Sequence, residues 1–253
     1  LSLFVSEPER PALQQRDIYT TVVKPFTDYI DRRGVKGVLL AMVFMVLYKL
    51  GDNMATALST PFYLDLGFTK TEIGIWAKNA GLWSSIAGAM LGGAIMLRIS
   101  INKALWLFGF VQLLSIGGFA ILALSGPIVW LLAAVISFEY LGVGLGTAAF
   151  VAYMARESSR TFAATQFALF TALAAFPRSM ANAATGFLVE SVGWVEFFLI
   201  CMLAAVPGML LLLWVAPWTA DESDVDKRAA DKSGADVRGS DGKGFDALGS
   251  DAL

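Results

Sequence analysis

The sequence predicts an all-α polytopic membrane protein with six transmembrane helices. Of its 253 residues, 57% are hydrophobic, whereas soluble domains are typically about 45–50% apolar. The excess is concentrated in residues 37–218, in runs long enough to cross a bilayer, which takes about 20 residues. Positive charge is concentrated in every second loop between these runs, which is typical of proteins that cross a membrane repeatedly.

Hydropathy divides the apolar region into six spans joined by short loops. An even number of spans places both ends of the region on the same side of the membrane, and the positively charged loops mark that side as cytoplasmic. The sequence therefore predicts a six-span membrane domain with both ends in the cytoplasm. The six predicted spans are residues 37–63, 72–97, 103–124, 128–154, 161–190 and 194–218.

Two polar segments flank the membrane domain. Residues 1–36 carry mixed charge and scattered prolines, which predicts a cytoplasmic loop with a short amphipathic helix near residues 17–30. Residues 219–253 contain nine acidic and five basic residues but few apolar ones. Such a composition cannot bury enough apolar surface to fold, so the sequence predicts a disordered cytoplasmic tail.

Composition also excludes several classes of function. The chain has no histidine and one cysteine, so we expect neither a disulfide framework nor a Cys/His metal site, and no cofactor. A net charge of −2 without a basic cluster argues against a nucleic-acid partner. Intramembrane proteases need a Ser/His pair or paired aspartates, and Asp52 is the only aspartate inside a span. We therefore expect a transporter or a structural membrane subunit, not an enzyme.

Four charged residues fall near the centres of predicted spans: Lys49, Asp52, Glu139 and Arg178. A charge at that depth costs at least ~2.5–3.5 kcal/mol, so such residues usually face a polar interior and have a function. Lys49 and Asp52 are three residues apart, which places them on one helix face. We predict that Asp52 and Glu139 carry a proton, and that Lys49 and Arg178 balance charge or bind an anionic substrate. Structural ion pairs are the alternative.

Polar side chains in two further spans are candidates for lining a cavity. Lys78 and Asn79 lie near the outer end of the second span, where Lys78 either extends to the interface or lines the cavity mouth. The fifth span has one polar face, and Pro177 predicts a bend beside it. The polar residues of this span are Gln166, Thr171, Arg178, Asn182 and Thr185.

The same regions resemble the C-terminal half of AmpG-type muropeptide permeases, a family of the major facilitator superfamily. The resemblance covers about residues 22–214 and keeps one order of motifs throughout. The similar segments are Tyr48-Lys-Leu-Gly-Asp52, Pro61-Phe-Tyr-Leu-Asp-Leu-Gly-Phe-Thr69, Phe138-Glu139, Ala149-Phe-Val-Ala-Tyr-Met154, Ala164-Thr-Gln-Phe-Ala-Leu169 and Pro177-Arg178.

This resemblance implies a proton-driven importer in the bacterial inner membrane. The implied cargo is an anhydromuropeptide, N-acetylglucosaminyl-anhydro-N-acetylmuramic acid with or without its peptide, released when the cell wall turns over. On this reading Gln166, Asn79 and Asn182 would hydrogen-bond sugar hydroxyls. The partners would be the lipid bilayer, protons and this substrate.

Transporters of this superfamily have two six-span halves with the substrate site between them. This chain has six predicted spans and begins with Leu1 rather than methionine. We therefore expect it to be the second half of a longer permease, with an N-terminal half in the same or a separate chain. Two alternatives stay open: an importer of another peptide, sugar or acyl-CoA-like solute, and a truncated membrane remnant that does not transport.

Overall fold

The computed structural model describes residues 23–218, apart from the side chains of residues 177, 178 and 180–184. Within this range the chain is helical and contains no strand, which confirms the predicted all-α polytopic fold. A π-helical segment, Ile73–Ala77, joins α4 to α5. The helices are α1 (Lys24–Tyr48), α2 (Leu50–Ala57), α3 (Ser59–Asp65), α4 (Lys70–Glu72), α5 (Lys78–Met96), α6 (Ile101–Ser125), α7 (Val129–Glu157), α8 (Ala163–Val192) and α9 (Trp194–Val215).

Four helical stretches of the described chain are long and apolar enough to cross a membrane. They are Lys24–Asp65, Ile101–Ser125, Val129–Glu157 and Trp194–Val215. The other two predicted spans correspond to α5 and α8. α5 is not among these stretches, and in α8, some of whose side chains are not described, Ala163–Phe176 is a shorter apolar stretch. Four of the six predicted spans therefore coincide with stretches long and apolar enough to cross a membrane, and the crossing of α5 and α8 stays a prediction.

The helical stretch Lys24–Asp65 is interrupted near the point where the sequence changes from polar to apolar. The backbone of α1 leaves the helical conformation at Gly34, where φ is 71°, a value that glycine adopts easily. This break lies close to the predicted start of the first span at residue 37. The segment before it begins at Lys24 with Pro25 in the first turn, where proline is well tolerated. Residues 17–22 of the predicted amphipathic helix, and all of residues 219–253, lie outside the described range.

The helices pack around two separate apolar clusters. α5 packs against α7, α6 packs against α7 and α9, and α1 packs against α8 and α9. One cluster is centred on Phe44, Phe108 and Phe150, all of which are buried. The second is centred on buried aromatic residues of α3, α6 and α9, including Phe62 and Phe119. The positions between the two clusters lie midway along the helices, where a bundle in a membrane is farthest from water.

The loops that carry positive charge meet at one end of the bundle. Arg156 at the end of α7 donates to Asn102 Oδ1 at the start of α6, over 2.8 Å. Asn102 in turn donates to the carbonyl oxygen of Pro217, after α9, over 3.2 Å. Arg32, in the first part of α1, donates to the carbonyl oxygen of Glu157 over 3.2 Å. The side of the membrane that this end faces stays a prediction.

Candidate functional site

The predicted charge pair lies where α1 gives way to α2, at a close crossing with α9. Lys49 occupies the junction between the two helices. A Cβ atom added to Gly51 would lie 2.5 Å from the carbonyl oxygen of Cys201, and one added to Gly208 would lie 2.7 Å from that of Leu47. Only glycine permits so close a backbone approach. These contacts place the Lys49–Asp52 turn inside the bundle.

Lys49 and Asp52 form a buried ion pair. Lys49 Nζ lies 3.5 Å from Asp52 Oδ2, and the two residues are 8% and 6% exposed. Lys49 Nζ also donates to Thr147 Oγ1 of α7 over 3.3 Å. Thr147 is exposed, so the ammonium group lies at the edge of the buried region. The predicted pairing of these two charges is therefore present in the structure.

Glu139 of α7 lies near the Lys49–Asp52 ion pair and interacts with both of its residues. It is fully buried and accepts a hydrogen bond from the Ser115 hydroxyl of α6. Its carboxyl group interacts electrostatically with that of Asp52 inside the bundle. Asp52 Oδ1 and Glu139 Oε1 are buried and have no hydrogen-bond partner among the described residues. Two facing carboxylates repel unless a proton is bound, so this arrangement is suited to holding one.

We call the five buried residues Lys49, Asp52, Gln112, Ser115 and Glu139 the polar layer. All five lie between the two apolar clusters, and none is more than 8% exposed. With all groups ionised, one cation faces two anions, and a single added proton makes the layer neutral. Because an uncompensated charge is costly at membrane depth, protonation would change the energy of the layer strongly.

The structure places Gln166 outside the polar layer, at the end of the bundle where the positive loops meet. Gln166 is 1% exposed, and its amide nitrogen donates to the carbonyl oxygen of Pro25 over 2.8 Å. Its amide oxygen accepts from the backbone N–H of Ser159 over 2.6 Å and from Arg32 over 3.2 Å. The side chain thus ties α1 to α8, and its proposed contact with sugar would require these bonds to break.

Of the remaining predicted residues, two lie apart from the polar layer, and two have side chains outside the described part of the structure. Lys78 and Asn79 are exposed at the start of α5, and Asn79 donates to the carbonyl oxygen of Ile75, in the π-helical segment before α5, over 2.6 Å. Arg178 and Asn182 belong to α8, but their side chains lie outside the described part of the structure. Substrate roles for these four residues stay predictions.

Gln112 and Ser115 are polar-layer residues that sequence reasoning did not single out. They interrupt a long apolar run in α6 and are three residues apart, a spacing that places them on one helix face. That pattern is the signal that could have found them. A second unpredicted feature is Glu157, which is 1% exposed and accepts hydrogen bonds from Tyr29, over 3.1 Å, and from Arg33.

Comparison with known proteins reveals relatives over most of the chain. No protein-family model matches it. An uncharacterized protein of Haemophilus influenzae is 45% identical over 226 residues, which is 86% of this chain and 53% of the relative. The anhydromuropeptide permease of Escherichia coli K12 is 38% identical over 213 residues, 84% of this chain and 43% of the relative. The putative transporter AmpG 4 of Rickettsia conorii is 34% identical over 196 residues, 78% of this chain and 47% of the relative.

The chain is homologous to AmpG-type permeases. The resemblance stated from the sequence motifs is thereby confirmed, and with it the identification as a membrane protein related to transporters. The chain spans about half the length of the curated relatives it matches. Within residues 23–218, no cluster of three or more Asp, Glu, Cys or His side chains is placed to hold a metal ion.

Proposed function

We propose that this chain forms the C-terminal half of a proton-coupled permease that imports anhydromuropeptides across the bacterial inner membrane, with both ends in the cytoplasm. The observation that carries the proposal is the polar layer, in which a lysine and two facing carboxyl groups are buried between two apolar clusters. The cargo is proposed by analogy with the Escherichia coli relative, which is named an anhydromuropeptide permease and is 38% identical.

The polar layer suggests how a proton and an anionic cargo would be coupled. In the ionised state Lys49 is paired with Asp52. A proton taken up between Asp52 and Glu139 weakens that pairing, because Lys49 then faces less negative charge. Its ammonium group, which already reaches exposed Thr147, becomes available to a carboxylate of the cargo. Proton binding would thereby favour cargo binding, and the neutral layer would favour the change between outward-facing and inward-facing states.

A second half is part of the proposal because transporters of this architecture bind substrate between two halves near the membrane midplane. Large apolar side chains of α5 are exposed in this chain, including Trp83 and Met90, which are 66% and 72% exposed. Such a surface must meet lipid or another helical unit. In the proposal Lys78, Asn79, Arg178 and Asn182 face the cargo, with Arg178 as a second cation and the two amides as donors to sugar hydroxyls.

Uptake of labelled anhydromuropeptide tests this function. The chain is expressed together with the DNA that precedes residue 1 in its own locus, in cells that lack their own permease. We expect uptake that a protonophore abolishes and that unlabelled anhydromuropeptide prevents by competition. The same cells carrying an empty vector are the control.

The competitors identify the cargo class. Displacement by a free peptide, a simple sugar or an acyl-CoA, with no displacement by anhydromuropeptide, would replace the proposed cargo by the competitor that succeeds. Uptake that is unaffected by the protonophore would refute proton coupling. Absence of uptake of every solute from a complete, membrane-inserted reading frame would refute transport by this protein.

A further inference from the structure

A narrow cavity lies beside Asp52, between the α1–α2 junction, α6 and α9. Its walls include Tyr48, Asp52, Gly109, Gln112 and Met209. The cavity has room for about one water molecule. Lys49 does not line this cavity, and its contact with Asp52 uses the carboxylate oxygen Oδ2.

Two polar atoms of this cavity's lining residues are buried and have no hydrogen-bond partner among the described residues. They are Asp52 Oδ1 and Gln112 Nε2. Asp52 is 6% exposed and Gln112 is 4% exposed. Buried polar groups are nearly always satisfied, by protein or by an ordered water. One of these atoms is an acceptor and the other is a donor, so a single water molecule can satisfy both, donating to Asp52 and accepting from Gln112.

We propose that Asp52 Oδ1 and Gln112 Nε2 hold one water molecule in this cavity, and that Asp52 exchanges its proton through it. The inference rests on the proposed proton coupling and assigns a new role to α6. The step is a single proton transfer: the water passes a proton to the Asp52 carboxylate and receives another from the solvent side. Gln112 cannot itself titrate, so it is a positioning residue that holds the water in place.

The surroundings of Asp52 agree with this role. Among the residues whose side chains are described, the charged or titratable groups that face it are Lys49 at the α1–α2 junction, Tyr48 of α1 and Glu139 of α7. The Tyr48 hydroxyl donates to the carbonyl oxygen of Leu105 over 3.0 Å, so its proton is already used. Gln112 is the only polar side chain that α6 contributes to the cavity lining. Asp52 therefore lies between the proposed water on one side and Glu139 on the other, and a proton arriving by the water can pass to the shared position.

Infrared difference spectroscopy tests the water site without requiring transport. The 253-residue chain is reconstituted in lipid, and spectra at acidic and neutral pH are compared in H₂O and in H₂¹⁸O. We expect an O–H stretching band that shifts with the oxygen isotope in the wild-type chain. Gln112→Leu and Asp52→Asn should both lose this band. Asn79→Leu, which removes an exposed amide of α5, should keep it.

A second variant covers the case in which Gln112→Leu does not fold. Gly109→Ala leaves Asp52 and Gln112 unchanged but adds a Cβ atom 2.5 Å from Met209 Sδ and 3.0 Å from the Tyr48 hydroxyl. Gly109, Met209 and Tyr48 all line the cavity, so we expect the added methyl group and the displaced Met209 sulfur to fill the space proposed for the water, and the isotope-sensitive band to be lost. A band that persists in each variant that folds, or that is absent from the wild-type chain, would overturn the water site.

These outcomes are distinguishable from failure of the proposed function. If uptake does not depend on the proton gradient while the isotope-sensitive band is present and is lost in the variants, proton coupling is refuted and the water has only a structural role. If uptake is proton-driven but the infrared band is absent, or is unchanged by Gln112→Leu, the proposed function is supported and the water site is wrong.

Discussion

The carboxyl group of Glu139 on α7 faces that of Asp52 on α2, inside the bundle and away from solvent. The two residues are far apart in sequence, and each lies between the apolar clusters that hold the helices together. Lys49 completes the group with a contact of 3.5 Å to Asp52. One cation between two anions leaves a place for a proton, and the following predictions concern this arrangement and the packing that maintains it.

Lys49→Met should destabilise the fold by about 3–5 kcal/mol, because it leaves two buried carboxyl groups without their cation. Thermal or denaturant unfolding of the chain in detergent measures the change. The double variant Lys49→Met/Asp52→Asn removes one of those carboxylates as well, so it should recover most of the loss. Lys78→Met is the matched control, since Lys78 is exposed, and it should change stability by no more than about 0.5 kcal/mol. A double variant less stable than Lys49→Met alone would contradict the pairing.

Glu157→Ala should loosen the first part of α1 from the end of α7. The change removes the acceptor for Tyr29 and Arg33. Because the Arg33 side chain is 42% exposed, solvent screens the ion pair, and we expect a loss of about 1–3 kcal/mol in the free energy of unfolding. Trypsin cleavage after Arg32 and Arg33 should become faster. Glu190→Ala, at an exposed position of α8, is the control and should leave cleavage unchanged; equal cleavage rates in both variants would argue against this contact.

Gly88→Ala should disturb the packing of α5 on α7. A Cβ atom at this position would collide with the carbonyl oxygen of Leu141, and overpacking of this kind typically costs about 1–3 kcal/mol. Gly93 lies five residues further along α5, on a different face of the helix, and a Cβ atom there would meet nothing within 4 Å. Gly93→Ala should therefore be neutral or stabilise the helix by up to about 1 kcal/mol. Thermal unfolding of the two variants side by side checks the contrast, and equal effects would mean that α5 and α7 do not approach as described.

Much of this fold is predictable from the sequence because apolar length and charge placement are local properties. The runs that include α6, α7 and α9 are long and almost uncharged, so their helical character and approximate bounds follow directly. Lys49, Asp52 and Glu139 are conspicuous in the sequence for the opposite reason, since a charge in an apolar run is expensive unless it has a partner.

What the sequence does not reveal is which helix faces meet. Gln166 is a conspicuous polar residue of its predicted span, yet only the packing of α8 against α1 brings its amide to the carbonyl oxygen of Pro25. Gln112 and Ser115 are neutral and inexpensive in a helix; their spacing indicates a shared face, but Ser115 is not identified as the partner of Glu139 until α6 is placed beside α7.

The most direct test of the central claim is uptake of labelled anhydromuropeptide driven by an imposed pH gradient. It compares the complete reading frame with its Glu139→Gln and Asp52→Asn variants, each checked for insertion into the membrane. Glu190→Gln, which neutralises an exposed carboxylate of α8, is the control. The account predicts that the gradient drives uptake in the wild type and the control, and that in the two polar-layer variants uptake falls to the level seen without a gradient. Wild-type gradient-driven uptake in both variants would contradict a proton shared between Asp52 and Glu139.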